Sequence, residues 1–587
     1  MKKLLKYFTS KDILFTILIV LLVLVQVYFE LRIPDYMSNI TSLVQTGGTT
    51  SQISHEGIYM MICALCSLIA SIVVGYIIAN TGSNFSKRIR EKLFNKVTSF
   101  SMEELNHINV SSLITRTTND VTNVESIIIM GLQLLIKAPI TAVWAIMKIV
   151  GKNFTWTAIT GGAVLVLLIT IITTMIFVLP KFKLIQKLID NVNEKTRENL
   201  KGIRVIRAFN AEKYQENKFE IENNKLTSTQ KFAQTMMEIV SPIIYLLMNG
   251  VSLLIYFCGA YIINEAAINL RVEIFSDMII FTSYATHVIM SFLVLTFVFV
   301  AYPRAAISID RINEVLDINP KIKNGKLKES ENFGTVEFRN VSFKYPDSEE
   351  YVLLNVSFKA NMGETVAIIG STGSGKSTLI NLIPRFYDAT SGTILIDGVD
   401  ITKLDLEYLH DKIGYVPQKA VMFSGSVKSN VSYGKKSKYE ITDEKIKESI
   451  KVAQAEEFVS KMENKYDSDI AQGGTNISGG QKQRLAIARA IAREPEIYIF
   501  DDAFSALDYK TDYILRKELK EYTKTATSII VANRVGTIKN ADKIIVLDKG
   551  KCVGIGKHKD LLKNCKVYQE IAYSQLSKEE LENEWEW

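Results

Sequence analysis

Six apolar stretches, each long enough to cross a bilayer as a helix, fill the first half of this chain and leave little choice of architecture there. They run from Asp12 to Ile33, Gly57 to Ile78, Ile127 to Val150, Phe154 to Leu179, Ile239 to Ile263 and Met278 to Val300. A hydrocarbon layer about 30 Å thick needs about twenty such residues in a helix. Basic residues give the orientation. Lys2, Lys3 and Lys6, the segment Lys87–Lys96 and the stretch Lys181–Lys231 are rich in Lys and Arg, whereas Asp35–Glu56 has neither. The basic segments belong in the cytoplasm, which places both termini there. The formal charge of +7 reads as this topology rather than as nucleic-acid binding, for which no base-reading module is present. A cleaved secretory signal does not account for Met1–Glu30: the apolar run is too long, lacks a small-residue cleavage pattern, and is followed by five further spans. The five cysteines (Cys63, Cys66, Cys258, Cys552 and Cys565) show no metal-ligand spacing and read as packing residues.

Two polar segments, between the second and third spans and between the fourth and fifth, are too long for simple connections. The first contains Ser112–Asp120 and the second Glu198–Phe209, each with apolar and basic residues at helical spacing. They predict helices that carry the spans far beyond the membrane as rigid arms. Asp317–Phe333, with Pro320 and Gly325, reads as a linker. After it Val336–Phe343 alternates as a strand, and glycine-punctuated apolar runs suggest a soluble α/β domain. The expected organisation is a transmembrane domain over 1–316, a linker over 317–333 and a nucleotide-binding domain over 334–587 that includes a C-terminal tail.

Within that last domain the apolar strand Thr365–Ile369 runs directly into Gly370, Ser371, Thr372, Gly373, Ser374, Gly375, Lys376, Ser377 and Thr378, where a helix begins. Glycines let backbone N–H groups turn toward a β-phosphate, and the helix N-terminus adds positive potential. Lys376 reaches the β- and γ-oxygens and Ser377 ligates magnesium. The predicted ligands are ATP and Mg2+. A carboxylate comes from Asp501, at the end of the apolar strand Ile497–Phe500, where it reaches the magnesium coordination sphere.

About a hundred residues after the phosphate loop comes Asn476-Ile477-Ser478-Gly479-Gly480-Gln481-Lys482-Gln483-Arg484. The loop and this signature together resemble an ATP-binding cassette. Nearly the whole chain resembles an exporter half-transporter of that family: six spans, two segments similar to its coupling-helix regions, and the closing pattern Arg304–Leu316. The resemblance implies a type IV exporter-like six-span membrane domain followed by a P-loop α/β domain with a helical subdomain. It also implies roles for single residues. Tyr345, before Pro346, would stack on adenine, with surface packing as the alternative. Gln418 matches the glutamine that touches magnesium and the attacking water. Ser478, Gly479, Gly480 and Gln481 would act in trans on nucleotide held by a second cassette, and Ser505 and Asp508 match the D-loop that crosses the same interface.

Two departures stand out. Asp502 occupies the place of the family's catalytic glutamate, and Asn533 that of a histidine that contacts the γ-phosphate. Aspartate withdraws the carboxylate by about 1.5 Å, which costs on the order of a hundredfold where placement of the water matters. Asparagine offers no titratable nitrogen. Gln472, where such exporters often carry glutamate, is a lesser departure. An intact signature beside a weakened site predicts a heterodimer with a second, non-identical half-transporter. The expected activity is ATP-driven export of hydrophobic or amphipathic compounds, of multidrug type, across the plasma membrane of a bacterium. A peptide or lipid exporter, or a regulatory ATP-binding subunit, are the alternatives. Within the spans, Lys137 is expected to snorkel or pair from the cytoplasmic end of the third, and His287 to pack. Phe, Tyr and Met residues of the last two spans are candidates to line an apolar cavity.

Overall fold

The apolar stretches fold as helices that run well past the length a bilayer requires. The computed structural model describes residues 2–330, 333–346, 348–434 and 441–576; the expectations for linker residues 331–332 and for the tail 577–587 lie outside them. Packing separates the chain into two units, Met1–Ser99 with Ile108–Ile318, and Phe100–His107 with Asn319–Trp587.

In the first unit six helical stretches among the described residues are long and apolar enough to cross a membrane: Ser10–Gln45, Thr50–Thr98, Val110–Ile149, Phe154–Lys201, Glu212–Glu265 and Arg271–Asp317. Each matches one of the six expected spans, the third stopping one residue short at Ile149, and the second to fifth continue as helix into the two polar segments where helical arms were expected. Capping sets the first start. Thr9 accepts the Asp12 N–H at 3.4 Å while Asp12 Oδ2 accepts the Thr9 N–H at 2.7 Å. The same carboxylate, buried, takes Arg88 Nη2 of the second helix at 2.6 Å. The third stretch is interrupted twice by π-turns, Arg116–Asp120 and Gly131–Leu135. Pro139 lacks the N–H that would bond to the Leu135 carbonyl, which accounts for the second. The first presents Asp120 to the last helix, where Ser308 Oγ donates to Asp120 Oδ1 at 2.8 Å and itself accepts from Asn123 at 3.1 Å. Trp156, Phe281 and Tyr284 fill the centre of the unit.

In the second unit, an antiparallel sheet is ordered β2-β1-β4-β5 from β1 (Val336–Phe343), β2 (Leu353–Ala360), β4 (Ser391–Ile396) and β5 (Val399–Asp400). A six-stranded sheet runs β10-β9-β3-β8-β7-β6. Its members are β3 (Thr365–Gly370), β6 (Ile413–Val416), β7 (Ile497–Asp501), β8 (Thr527–Val531), β9 (Lys543–Asp548) and β10 (Lys551–Gly556). All pairs in it are parallel except β9 with β10. A helical cluster built on Gly479–Ala492 and Asp443–Val452 has its own apolar core of Val431, Ile446, Ile450, Leu485 and Ile491.

The short helix Met102–His107, from the first long polar segment, packs in this second unit. Asn106 donates to the Tyr387 hydroxyl at 3.1 Å, Glu104 accepts the Lys321 N–H at 3.0 Å, and Glu103 pairs with the Lys321 ammonium. Ser112–Asp120, the patterned part of the same segment, continues the third long helical stretch. In the second polar segment the short helix Ile203–Ala208 does fall inside the expected Glu198–Phe209.

Candidate nucleotide site

Parallel pairing assembles this site. Val531 of β8 registers against Ile368 of β3 on one side and Asp501 of β7 on the other. The C-terminal ends of three adjacent strands therefore deliver Gly370, Asp501 with Asp502, and Ala532 with Asn533 to one edge of the sheet, the usual position for a ligand in such folds.

The loop between β3 and the helix Lys376–Leu382 is a cradle that tolerates no larger residue at its ends. A Cβ on Gly370 would sit 2.2 Å from the Leu547 carbonyl, and Gly375, at φ +94, would meet the Val352 carbonyl at 2.9 Å. Ser371, Thr372 and Gly373 form its exposed rim. Ser374 Oγ is buried with no hydrogen-bond partner among the described residues, a donor held ready for an anion. The Lys376 ammonium folds back on the Gly370 and Ser371 carbonyls at 2.8 and 2.9 Å. Burial lowers its pKa, against the pull of Asp502 and Asp501. Ser377 Oγ donates to Asp501 Oδ1 at 3.0 Å. Burial raises the Asp501 pKa, opposed by Ser377 and reinforced by Asp502. An unpartnered donor, a cation and a hydroxyl-carboxylate pair in one cradle fit a nucleotide polyphosphate with its cation.

Tyr345 stands beside the loop, its hydroxyl 3.0 Å from Thr378 Oγ1 and its ring edge-on to Phe343 and Tyr387. Gln418 is exposed two residues beyond β6, the strand paired with β7. Among the described residues no hydrogen bond joins it to Ser377 or Asp501. Ser478 caps the helix Gly479–Ala492 in a box with Gln481: the Gln481 N–H reaches Ser478 Oγ at 3.3 Å and Gln481 Oε1 accepts the Ser478 N–H at 2.8 Å. That box explains the Ser-Gly-Gly-Gln spacing and leaves Ser478 and Gly479 exposed. Ser505 Oγ closes a turn on the Asp502 carbonyl at 2.8 Å, and Asp508 caps the helix Tyr509–Tyr522 through the Thr511 N–H at 3.0 Å. That N–H holds the Asp508 pKa below its ordinary value.

The two departures meet. Asn533 Nδ2 donates to Asp502 Oδ2 at 3.2 Å, and Asp502 holds a left-handed backbone at φ +46. Two polar residues escaped the sequence reading. Buried Gln483 on the signature helix donates to the Pro417 carbonyl at 3.1 Å, next to Gln418. Gln575, near the C-terminus, bonds to both sides of Arg534.

In the membrane unit, Lys137 pairs with Glu30 of the first span at 2.9 Å, the second of the two outcomes expected for it. His287 is half-buried within electrostatic range of that pair. Tyr284 donates to Asp35 at 2.6 Å, and Lys148 reaches the same carboxylate at 2.7 Å. A cavity of about 990 Å³ opens among Met175, Phe182, Gln186, Gln230, Tyr302 and Asp310. It draws on the fourth long helix, and on Asn123 of the third, as well as on the last two.

The family described as "ABC transporter transmembrane region" matches residues 14–292, and that described as "ABC transporter" matches 353–505. An uncharacterized ABC transporter ATP-binding protein of Mycobacterium tuberculosis is 35% identical over 563 residues, covering 95% of each chain. The uncharacterized ABC transporter ATP-binding protein YfiB of Bacillus subtilis is 34% identical over 547 residues, 92% of this chain and 93% of its own. A solved bacterial Atm1-family ABC exporter with ATP bound superposes with a TM-score of 0.81 at 22% identity, over 97% of this chain and 98% of that one, a likeness of fold. The six-helix membrane unit, the nucleotide cradle and the full-length relatives lead to one conclusion: the chain belongs to the ABC transporter family and is a multi-pass half-transporter with an ATP-binding cassette, built on the fold of an ABC exporter.

Proposed function

We propose that this half-transporter works in a heterodimer, as the subunit whose own ATP site binds nucleotide but hydrolyses it slowly. The carrying observation is the bond between Asn533 and Asp502. A carboxylate that would polarise the attacking water is short and tied to an amide, and the amide cannot accept a proton. Ser374, Lys376 and Thr378 would hold the phosphates, Ser377, Asp501 and Gln418 the magnesium, and Tyr345 the adenine. Magnesium supplies charge neutralisation on the β- and γ-oxygens. Ser478, Gly479, Gly480 and Gln481, with Ser505 and Asp508, would complete the site on a second, non-identical half-transporter that carries the glutamate and histidine.

Transport follows the cytoplasmic closure of two cassettes on ATP and their release after hydrolysis at the partner's site. The cavity lined by Met175, Phe182 and Tyr302, with Asn123, Gln186, Gln230 and Asp310 among its polar members, suits hydrophobic or amphipathic compounds. Met and aromatic side chains repack around varied shapes. In this reading the chain lies in a bacterial plasma membrane with both termini cytoplasmic. The domains run 1–316, 317–333 and 334–587.

The test is ATP turnover by the purified chain alone against the complex with its partner, followed by dye flux in inside-out vesicles. Alone, the chain should turn over at no more than about a hundredth of the complex's rate, the cost of a misplaced base. Robust turnover by a verified homodimer contradicts the proposal. ATP binding without any effect on flux identifies a regulatory subunit instead.

A further inference from the structure

The C-terminal helix Lys566–Tyr573 is a firm base. Tyr568 and Ala572 are fully buried, Leu576 packs on the cluster of Val535 and Ile538, and the Tyr568 hydroxyl lies 2.6 Å from His558 Nδ1. From the end of this helix, Gln575 presents its amide to the chain leaving β8. Its Nε2 donates to the Asn533 carbonyl at 2.8 Å, and its Oε1 accepts the Val535 N–H at 2.8 Å. This is the two-bond exchange of a paired strand, supplied by one side chain. On the upstream side, the Ala532 N–H donates to the Ile368 carbonyl of β3 at 3.2 Å. Asn533 is thus pinned from both directions, and its own amide reaches Asp502 at 3.2 Å.

Stability alone does not account for Gln575. It is exposed, and the net gain from two hydrogen bonds at such a position little more than offsets the rotamer freedom that an ordered glutamine gives up. What the two bonds do fix is the place of the Asn533 backbone relative to Asp502. An amide is required for this, because one atom must donate and the other accept.

We infer that Gln575 is a positioning residue of this chain's ATP site: by holding Asn533 against Asp502 it sets how the site reads the terminal phosphate of ATP. The inference rests on the reading that Asp502 and Asn533 face that phosphate. ADP, which lacks it, should be indifferent to Gln575.

The experiment measures ATP and ADP affinity on the full-length chain in lipid nanodiscs, by competition with a fluorescent nucleotide analogue. Gln575→Ala removes both bonds. Gln575→Glu keeps the size and the acceptor but sets a carboxylate oxygen against the Asn533 carbonyl. The ratio of ATP to ADP affinity should fall about three- to tenfold in Gln575→Ala, and at least as far in Gln575→Glu. The ADP affinity and the thermal midpoint should stay at their wild-type values. A parallel loss of ATP and ADP affinity with a lowered midpoint would show Gln575 to be a structural staple only, and overturns the inference. So does an unchanged ratio in both Gln575 variants while Asn533→Ala lowers it. If Asn533→Ala and Asp502→Ala both leave the ratio untouched, the reading of the site fails and takes this inference with it.

Discussion

Asp502 combines a short carboxylate with a left-handed backbone at φ +46, and the two properties are linked. Aspartate and asparagine tolerate that region better than longer residues because their side chains bond locally. Here the Asp502 carbonyl accepts from Ser505 and its N–H donates to the Val531 carbonyl at 3.0 Å, so the backbone is held on both sides. Restoring glutamate lengthens the reach but forces a less tolerant residue into the same conformation. Asp502→Glu alone should therefore lower stability by about 1 kcal/mol. Combined with Asn533→His, it should raise hydrolysis at this chain's own phosphate loop. Single-site turnover in a complex whose partner glutamate has been changed to glutamine checks this. A rise supports the water-positioning account, and no rise with nucleotide still bound places the block in the partner's signature.

Among the elements of the cassette unit, β6 depends on one buried cation. The Lys412 ammonium, just before that strand, bonds to Asp397 after β4 and to Glu496 before β7, both at 2.7 Å. Asp397 in turn accepts the Thr335 N–H at 2.8 Å. The cluster joins the antiparallel sheet to the parallel one. Burial lowers the Lys412 pKa, and the bonds to Asp397 and Glu496 overcome it, leaving the pKa above that of a free lysine. The stabilisation is therefore complete below the ordinary lysine pKa of about 10.4 and is lost only as pH rises through the raised value. Lys412→Ala leaves two carboxylates without their cation and should cost about 3–5 kcal/mol in unfolding of the cassette unit, read by thermal denaturation at neutral pH. Loss of less than about 1 kcal/mol would mean the cluster is hydrated and contributes little. Elements of this kind divide what the sequence makes legible from what it hides. The six spans, the loop from Gly370 to Thr378 and the box from Ser478 to Gln481 are local patterns, because membrane crossing, phosphate binding and helix capping each require fixed residue types at fixed spacing. Lys137 was visible, but its partner Glu30 was not, since only helix packing decides which carboxylate it meets. Gln483 and Gln575 are ordinary surface-type residues in sequence and acquire meaning through the backbone groups they reach. The helix Met102–His107 has six residues, too few to display a 3.6-residue period, whereas Ser112–Asp120 continues a longer helix and shows one.

At the scale of the whole molecule, a half-transporter carries one phosphate loop and one signature, and the two need not be equally sound. Here Ser478 is exposed and caps its helix, while Asp502 and Asn533 bond to each other. In the proposed heterodimer this chain donates a working signature and holds a slow site. ATP turnover of the purified complex with the proposed partner, compared between Ser478→Arg and Asp502→Asn of this chain, tests that most directly. Ser478→Arg places a bulky cation where the partner's nucleotide must close, and should reduce turnover at least tenfold, whereas Asp502→Asn should leave it within about twofold of wild type. Abolition of turnover by Asp502→Asn with Ser478→Arg still active would contradict the account and reverse the assignment of the two sites.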